Sequence, residues 1–283
     1  MDYRKKILAA LAAGCLAAAL FAGCGGSSAP AADAEGKTVM KTLVSATEPP
    51  LAWKDADGKI QGYEYDVLCE AGRRLRSYSL DIDAVPPETQ DVMMESGEAK
   101  LAAGGYYRNP QRAANYIIPE NPIGASALLV YVKQGEETKY RDLKEAFAAG
   151  LRPCPFTSGH GAFRILSEWN EKNGRPLGEE LPVQSGVTQA ERIQAIGAGQ
   201  YDMLIVPGNL NIEKLSREEG VPLAPLAAPV QVDPTVVLVN RQEPQFAEEL
   251  NEALGSMRQD GTLSSLSEKW FGSDMMRLLD SAS

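Results

Sequence analysis

The chain has 283 residues, with 28 basic and 38 acidic side chains and a formal net charge of −10. An acidic chain is repelled by phosphate backbones and anionic lipid surfaces, which argues against nucleic acid as a partner. One histidine and four cysteines without metal-ligand spacing predict no metal site and no cofactor. The length beyond residue 36 is enough for two domains with their own cores.

Residues 1–23 have the pattern of a secretory signal peptide. Three basic residues precede an apolar run of about 15 residues, shorter than the roughly 20 that a membrane span needs. Ala22-Gly23-Cys24 resembles a bacterial lipobox, so we predict that Cys24 is lipidated and anchors the chain to the extracytoplasmic face of the cell membrane. An ordinary cleaved signal with an incidental cysteine is the alternative. Residues 24–36 are small and polar and predict a flexible tether.

Predicted strands and helices alternate through the first half of the remaining chain, which indicates α/β architecture. Strands are predicted over residues 42–46, 79–85, 101–103 and 125–132, with a hairpin turn over 55–62. A helix is predicted over 63–76, where Tyr65, Leu68 and Leu75 recur at helical spacing. A second helix is predicted over 89–96, with Val92 and Met93 facing the core.

The second half continues the alternation and returns to the first. Helices are predicted over residues 139–149, 162–173, 188–199, 246–257 and 262–271, and strands over 152–156, 183–186, 203–206 and 236–240. The apolar strands 125–132 and 236–240 flank a set of strand–helix units. We therefore predict two α/β lobes joined by two hinge strands, with residues 37–130 plus 237–283 in lobe 1 and residues 131–236 in lobe 2.

The stretch over residues 102–112 is the first candidate binding site. Gly105 lets the backbone approach a bound group, and Tyr106 and Tyr107 supply aromatic faces. Arg112 follows a turn at Asn109 and can hold a carboxylate through two parallel hydrogen bonds. Together they predict a site for a small anionic or zwitterionic molecule. The alternative is a strand end, a surface turn and a solvated arginine.

Two further segments could contribute to the same site. The turn Thr157-Ser158-Gly159-His160 precedes a predicted helix, where free backbone N–H groups favour an anion; a simple helix cap is the alternative. Glu48 and Trp53 lie in the loop after the first predicted strand. Ligands of open α/β sheets bind at such carboxyl ends of strands.

The chain resembles the bacterial extracellular solute-binding proteins that serve ABC importers of polar amino acids. The most specific pieces are residues 246–254, Asp-Gly-Thr at 260–262 and Glu-Lys-Trp-Phe-Gly at 268–272. Asn-Pro-Gln-Arg at 109–112 stands where the family has Thr-Pro-Glu-Arg, which implies that Arg112 clamps the ligand's α-carboxylate. The resemblance also implies a type II periplasmic-binding-protein fold, a monomer, and an ABC permease with its ATPase as partners.

Departures from the family pattern concern the ligand. The acidic residue that usually binds the ligand's amino group is replaced by Pro207, and Glu48 stands where the family often has an aromatic residue. A polar or cationic amino-acid-like ligand is therefore favoured, with Glu48 as a displaced ammonium anchor and aromatic faces adding cation–π attraction. The alternative is a carboxylate without an amine.

Three functions are compatible with this predicted fold. A binding protein that closes around a solute and delivers it to a permease is favoured. A ligand-sensing lobe for a membrane partner is the second. A dehydratase-like enzyme is the third, but only Glu48 and His160 offer acid–base chemistry, and no nucleophile–base pair is visible.

Overall fold

The computed structural model describes residues 32–156, 161–178 and 181–282. The predicted signal peptide, Cys24 and most of the tether lie outside these residues. The strands are β1 (Thr38–Ser45), β2 (Thr47–Glu48), β3 (Ala52–Lys54), β4 (Ile60–Gln61), β5 (Tyr78–Val85), β6 (Leu101–Tyr107), β7 (Tyr116–Ile117), β8 (Gly124–Lys133), β9 (Leu204–Pro207), β10 (Leu223–Pro225) and β11 (Gln231–Asn240). The helices are α1 (Tyr63–Arg74), α2 (Pro87–Glu95), α3 (Pro110–Asn115), α4 (Leu143–Ala148), α5 (Gly161–Lys172), α6 (Gln189–Gly197), α7 (Ile212–Glu218), α8 (Pro244–Gln259), α9 (Thr262–Phe271) and α10 (Met275–Ala282).

The described strands form an eight-stranded mixed sheet and a small antiparallel one. The large sheet has the order β10-β8-β11-β6-β1-β5, with β7 paired to β11 and β9 paired to β8. β1 is parallel to both β5 and β6, whereas β8 and β11 are antiparallel to each other. The small sheet, β2-β3-β4, contains the predicted hairpin turn between β3 and β4.

The long strands β8 and β11 link the two halves of the large sheet. β8 pairs with β11 through its first residues, then with β9 over residues 128–131 and with β10 over residues 131–133. β11 pairs in turn with β6, next to β1 and β5. They contain the two apolar strands predicted over residues 125–132 and 236–240, and that they cross between two lobes stays a prediction. The lobe boundaries at residues 130 and 236 stay a prediction.

Helix α1 forms where the apolar spacing predicts it. It buries Val67, Leu68 and Ala71, and it ends two residues before the predicted end. Asp66, in its first turn, accepts hydrogen bonds from Lys269 Nζ (2.6 Å) and Trp270 Nε1 (2.8 Å). The Asp66 carboxylate therefore links helix α1, near the start of the described chain, to helix α9, near its end.

Helix α2 corrects two sequence expectations. It begins at Pro87, not Thr89, because proline suits the first position of a helix. Val92 is 65% exposed, whereas Met93 is partly buried against the core as predicted, and the fully buried side chains are Gln90 and Met94. Gln90 Nε2 donates to the carbonyl oxygens of Leu43 and Ala103, so a polar side chain faces the sheet. A hydrophobicity pattern cannot predict that a glutamine is buried on this helix while a valine is exposed.

The middle of the chain is less regular than predicted. Helix α4 starts only after its cap residue, Asp142, whose carboxylate accepts from the backbone of Glu145. The strands predicted over 152–156 and 183–186 are wrong: isolated bridges join Pro153 to Met203 and Phe156 to Val183. Proline lacks the N–H that a strand ladder needs. Helices α7 and α10 were not predicted, and no described helix has both the length and the apolar character to span a bilayer.

Candidate functional site

A cavity of about 880 Å³ lies beside the two long strands. Its lining comes from the β6–α3 connection, from β8 and β11, from helices α5 and α6, and from the end of β9. The polar side chains of the lining include Tyr107, Arg112, Gln189, Arg192, Asn209 and Asp233. This volume falls in the usual range of small-molecule sites, about 300–1,000 Å³.

Arg112 is held in place at the edge of this cavity. Asn109 caps helix α3 by accepting from the backbone N–H of Arg112 (2.7 Å). The guanidinium donates from Nη1 to the carbonyl oxygen of Tyr107 (2.8 Å) and lies 4.8 Å from the centroid of the Tyr106 ring. Arg112 forms no ion pair with any described carboxylate. A fixed and unneutralised guanidinium is suited to binding a carboxylate.

The two tyrosines have different environments because β6 continues through both. Successive side chains of a strand point to opposite faces. Tyr107 is exposed and lines the cavity, whereas Tyr106 is buried among Leu43, Met94 and Leu238. Burial raises the pKa of the Tyr106 hydroxyl, so the side chain stays neutral. Its ring packs against the Arg112 guanidinium.

Gly105 has a structural role that the sequence did not suggest. Its φ of +60° suits glycine. Its backbone N–H donates to Glu64 Oε1 (2.8 Å), so this group is already engaged within the protein. Glu64 is 1% exposed, and its Oε2 has no hydrogen-bond partner. Burial raises the pKa of the Glu64 carboxyl to about 7, with nearby Glu48 adding to the effect.

Glu48 and Trp53 belong to the small sheet. Neither is among the described residues that line the cavity. Trp53 packs edge to face on Trp270, with ring centroids 5.5 Å apart, which is a packing role. A ligand contact for Glu48 stays a prediction, and Thr157, Ser158, Gly159 and His160 lie outside the described residues.

Arg192 lines the cavity from helix α6 and was not singled out from the sequence. It is 6% exposed, and it donates to the carbonyl oxygens of Pro155 and Gln184. Its own carbonyl accepts from the thiol of Cys154 (3.7 Å). Burial raises the pKa of the Cys154 thiol to about 11. Arg192 thus lines the cavity, and the Cys154 thiol is hydrogen-bonded to its backbone and buried.

Asp233 and Asn209 are the other residues that sequence reasoning missed. Strand β11 begins at Gln231, five residues before the predicted start, so Asp233 lies within it and lines the cavity. The alternation of Gln231, Val232 and Asp233 is a weak signal of a strand with one polar face. The described residues contain no group of three or more His, Cys, Asp or Glu side chains that could hold a metal ion.

Known proteins share this architecture. The L-cystine solute receptor of Neisseria gonorrhoeae, in its unliganded open conformation, superposes with a TM-score of 0.65 at 16% identity, covering 84% of this chain and 94% of that one. The second substrate-binding domain of GlnP from Lactococcus lactis, also open, gives a TM-score of 0.65 at 16% identity, covering 84% and 97%. The fold is therefore the type II periplasmic-binding-protein fold.

Sequence similarity places the chain more narrowly. The model of the bacterial extracellular solute-binding proteins, family 3, matches residues 40–273, and the chain belongs to that family. The L-cystine-binding protein TcyK of Bacillus subtilis is 24% identical over 258 residues, covering 89% of this chain and 90% of that protein. TcyJ of Escherichia coli, also an L-cystine-binding protein, is 23% identical over 237 residues, covering 83% of each. The family consists of binding proteins, so the chain is not an enzyme, as the sequence predicted.

Proposed function

We propose that this chain is the substrate-binding protein of an ABC importer for an amino-acid-like solute, with L-cystine as the first ligand to test. The protein would act as a monomer that closes around the solute and presents it to a permease and its ATPase. The observation that carries the proposal is the fixed guanidinium of Arg112 at the cavity, held by Tyr107 and Tyr106 and not neutralised by any described carboxylate.

The charges around the cavity support a ligand with carboxylate groups. Four arginines line it, Arg108, Arg112, Arg164 and Arg192, against one described carboxylate, that of Asp233. Arg164 pairs with Glu168, whereas Arg108 donates to the carbonyl oxygen of Pro119. The guanidinium of Arg112, which no described carboxylate neutralises, therefore favours a ligand with at least one carboxylate.

Relatives support the choice of L-cystine. TcyK and TcyJ carry L-cystine-binding in their names, and the chain spans most of their length. Cystine has a carboxylate and an ammonium group at each end. It is also larger than most single amino acids, which suits a cavity of about 880 Å³.

A thermal-shift screen tests the proposal. The screen covers the twenty amino acids, L-cystine and amine-free carboxylates, because a ligand that binds only the folded state raises Tm. We expect L-cystine to add about RT ln(1 + [L]/Kd) to the free energy of unfolding, roughly 2.7 kcal/mol at 100 times Kd, and so to raise Tm. No shift with any amino acid would contradict the proposal. Uptake of the stabilising compound by cells with and without the gene then separates transport from sensing.

The lipid anchor on Cys24 is a separate part of the proposal. The signal-like segment and the Ala22-Gly23-Cys24 site support it. Mass spectrometry of protein extracted from membranes is expected to give a mature N-terminus at Cys24 with a lipid mass increment. Cys24→Ser should release the protein from the membrane fraction. An N-terminus elsewhere without added lipid would rule out the anchor.

A further inference from the structure

The sheet register shows where a displaced acid could lie. Pro207, at the position where the family usually has an acid, is the cross-strand partner of Leu128 on β8, and Leu128 is also the partner of Gln231 on β11. β9 and β11 therefore flank β8, and these three residues share one face of the sheet. Asp233 is two residues beyond Gln231 and lies on that same face.

Strand geometry gives the scale of the displacement. Neighbouring strands lie about 4.8 Å apart, and two residues rise about 6.7 Å along a strand. Two strand spacings and two residues thus separate positions 207 and 233 by roughly 12 Å between backbones, before either side chain reaches into the cavity. Both residues line the same cavity. A ligand held there could present its ammonium group to Asp233 in place of the missing acid.

The environment of Asp233 suits a cation. It makes no ion pair with any described residue, and Gln231 Nε2 donates to its Oδ2. Two buried amide oxygens of the same cavity, Asn209 Oδ1 and Gln189 Oε1, have no hydrogen-bond partner. Buried acceptors are normally paired, and an ammonium group offers three donors. The Asp233 carboxylate and the unpaired amide oxygens of Asn209 and Gln189 line the same cavity. Together they offer the acceptors that an ammonium group needs.

We infer that Asp233, with the side-chain oxygen of Asn209, binds the ammonium group of the ligand, while Arg112 binds its carboxylate. The inference rests on the proposed function and narrows the ligand to compounds that carry both groups. It replaces Glu48, the anchor predicted from the sequence, with a residue on a hinge strand. Asp233 lies on β11, one of the two predicted hinge strands. The bound ammonium group would therefore contact the hinge between the two lobes directly.

Three disulfide compounds isolate the two groups. L-cystine carries carboxylates and amines, dithiodipropionic acid lacks the amines, and cystamine lacks the carboxylates. Calorimetry on the wild-type protein is expected to give the tightest binding with L-cystine. Asp233→Asn should raise the Kd for L-cystine roughly tenfold or more, the loss expected when a charged hydrogen-bond partner is removed. It should leave the Kd for dithiodipropionic acid unchanged or lower.

Matched variants separate this inference from its rivals. Asp81→Asn makes the same charge change at an exposed position of strand β5, at the far edge of the sheet, and is expected to leave both Kd values unchanged. Glu48→Gln tests the anchor predicted from the sequence. The Tm of each unliganded variant shows whether it is folded. Asn209→Ser, which shortens the acceptor, should weaken L-cystine binding in the same direction as Asp233→Asn.

The outcomes are distinct. If no amino acid binds the wild-type protein, the proposed function and this inference both fail. If another amino acid from the screen binds instead, it and its amine-free acid replace the two probes. If an amino acid binds the wild-type protein and folded Asp233→Asn equally well, or only Glu48→Gln weakens it, this inference alone is overturned.

Discussion

Arg112→Ala is expected to weaken binding of the amino-acid ligand by roughly 30-fold or more. Removing one member of a desolvated charge pair costs about 2–5 kcal/mol of binding, and about 1.4 kcal/mol corresponds to tenfold in Kd. The guanidinium is already oriented by the carbonyl oxygen of Tyr107 and the ring of Tyr106, so little side-chain entropy would be lost when a carboxylate binds.

Calorimetry with the ligand found in the screen measures this effect. Arg112→Lys keeps the charge but loses the planar fork, so an intermediate loss is expected. Arg73→Ala is the control, because Arg73 is an exposed side chain on helix α1 that pairs with Glu70. An unchanged Kd for Arg112→Ala, with the control also unchanged, would mean that Arg112 is only a surface residue.

Glu64→Gln is expected to change how stability depends on pH. The folded-state pKa of Glu64 is raised to about 7 by burial, whereas an unfolded glutamate titrates near 4.5. Between these values the folded protein holds a proton that the unfolded chain has lost. The contribution of Glu64 is therefore most favourable below pH 4.5 and is lost as the pH rises through 7. The full change is about 3 kcal/mol, since one pKa unit corresponds to about 1.36 kcal/mol.

Glutamine imitates the protonated acid and can still accept from the backbone N–H of Gly105. Urea unfolding of both proteins at pH 5, 6, 7 and 8 is the measurement. The free energies of unfolding should be similar at pH 5, and the variant should gain on the wild type as the pH rises to 8. Parallel profiles across this range would show that the buried carboxyl titrates normally. Glu95→Gln, at an exposed position at the end of α2, is the matched control.

Helical periodicity and the family motifs predicted much of the fold. The predicted bounds of α9 agree with the structure, and α1 and α8 differ from theirs by only a few residues. These helices bury apolar side chains at regular spacing, a signal that lies within the local sequence. Gln90 shows the limit of that signal, because it faces the sheet to satisfy two carbonyl groups that are distant along the chain.

The candidate site was predicted only in part for a similar reason. Arg112 follows from a local motif, and its cap at Asn109 is also local. Whether a carboxylate faces the cavity depends instead on strand pairing. Asp233 was missed because Pro234 and the polar residues before it hid the first half of β11. Glu48 was favoured because its loop follows β1, yet the loop folds into a separate small sheet.

For the proposed ligand L-cystine, the protonated thiol of Cys154 has a chemical consequence. Thiol–disulfide exchange requires a thiolate, and with a pKa of about 11 only on the order of one Cys154 in ten thousand is ionised at pH 7. This side chain is also buried behind Arg192, whose carbonyl holds its S–H. A carrier of cystine must hand on an intact disulfide, because attack by its own cysteine would leave half the cargo bound to the protein. Burial of this thiol therefore protects a disulfide ligand from attack by Cys154.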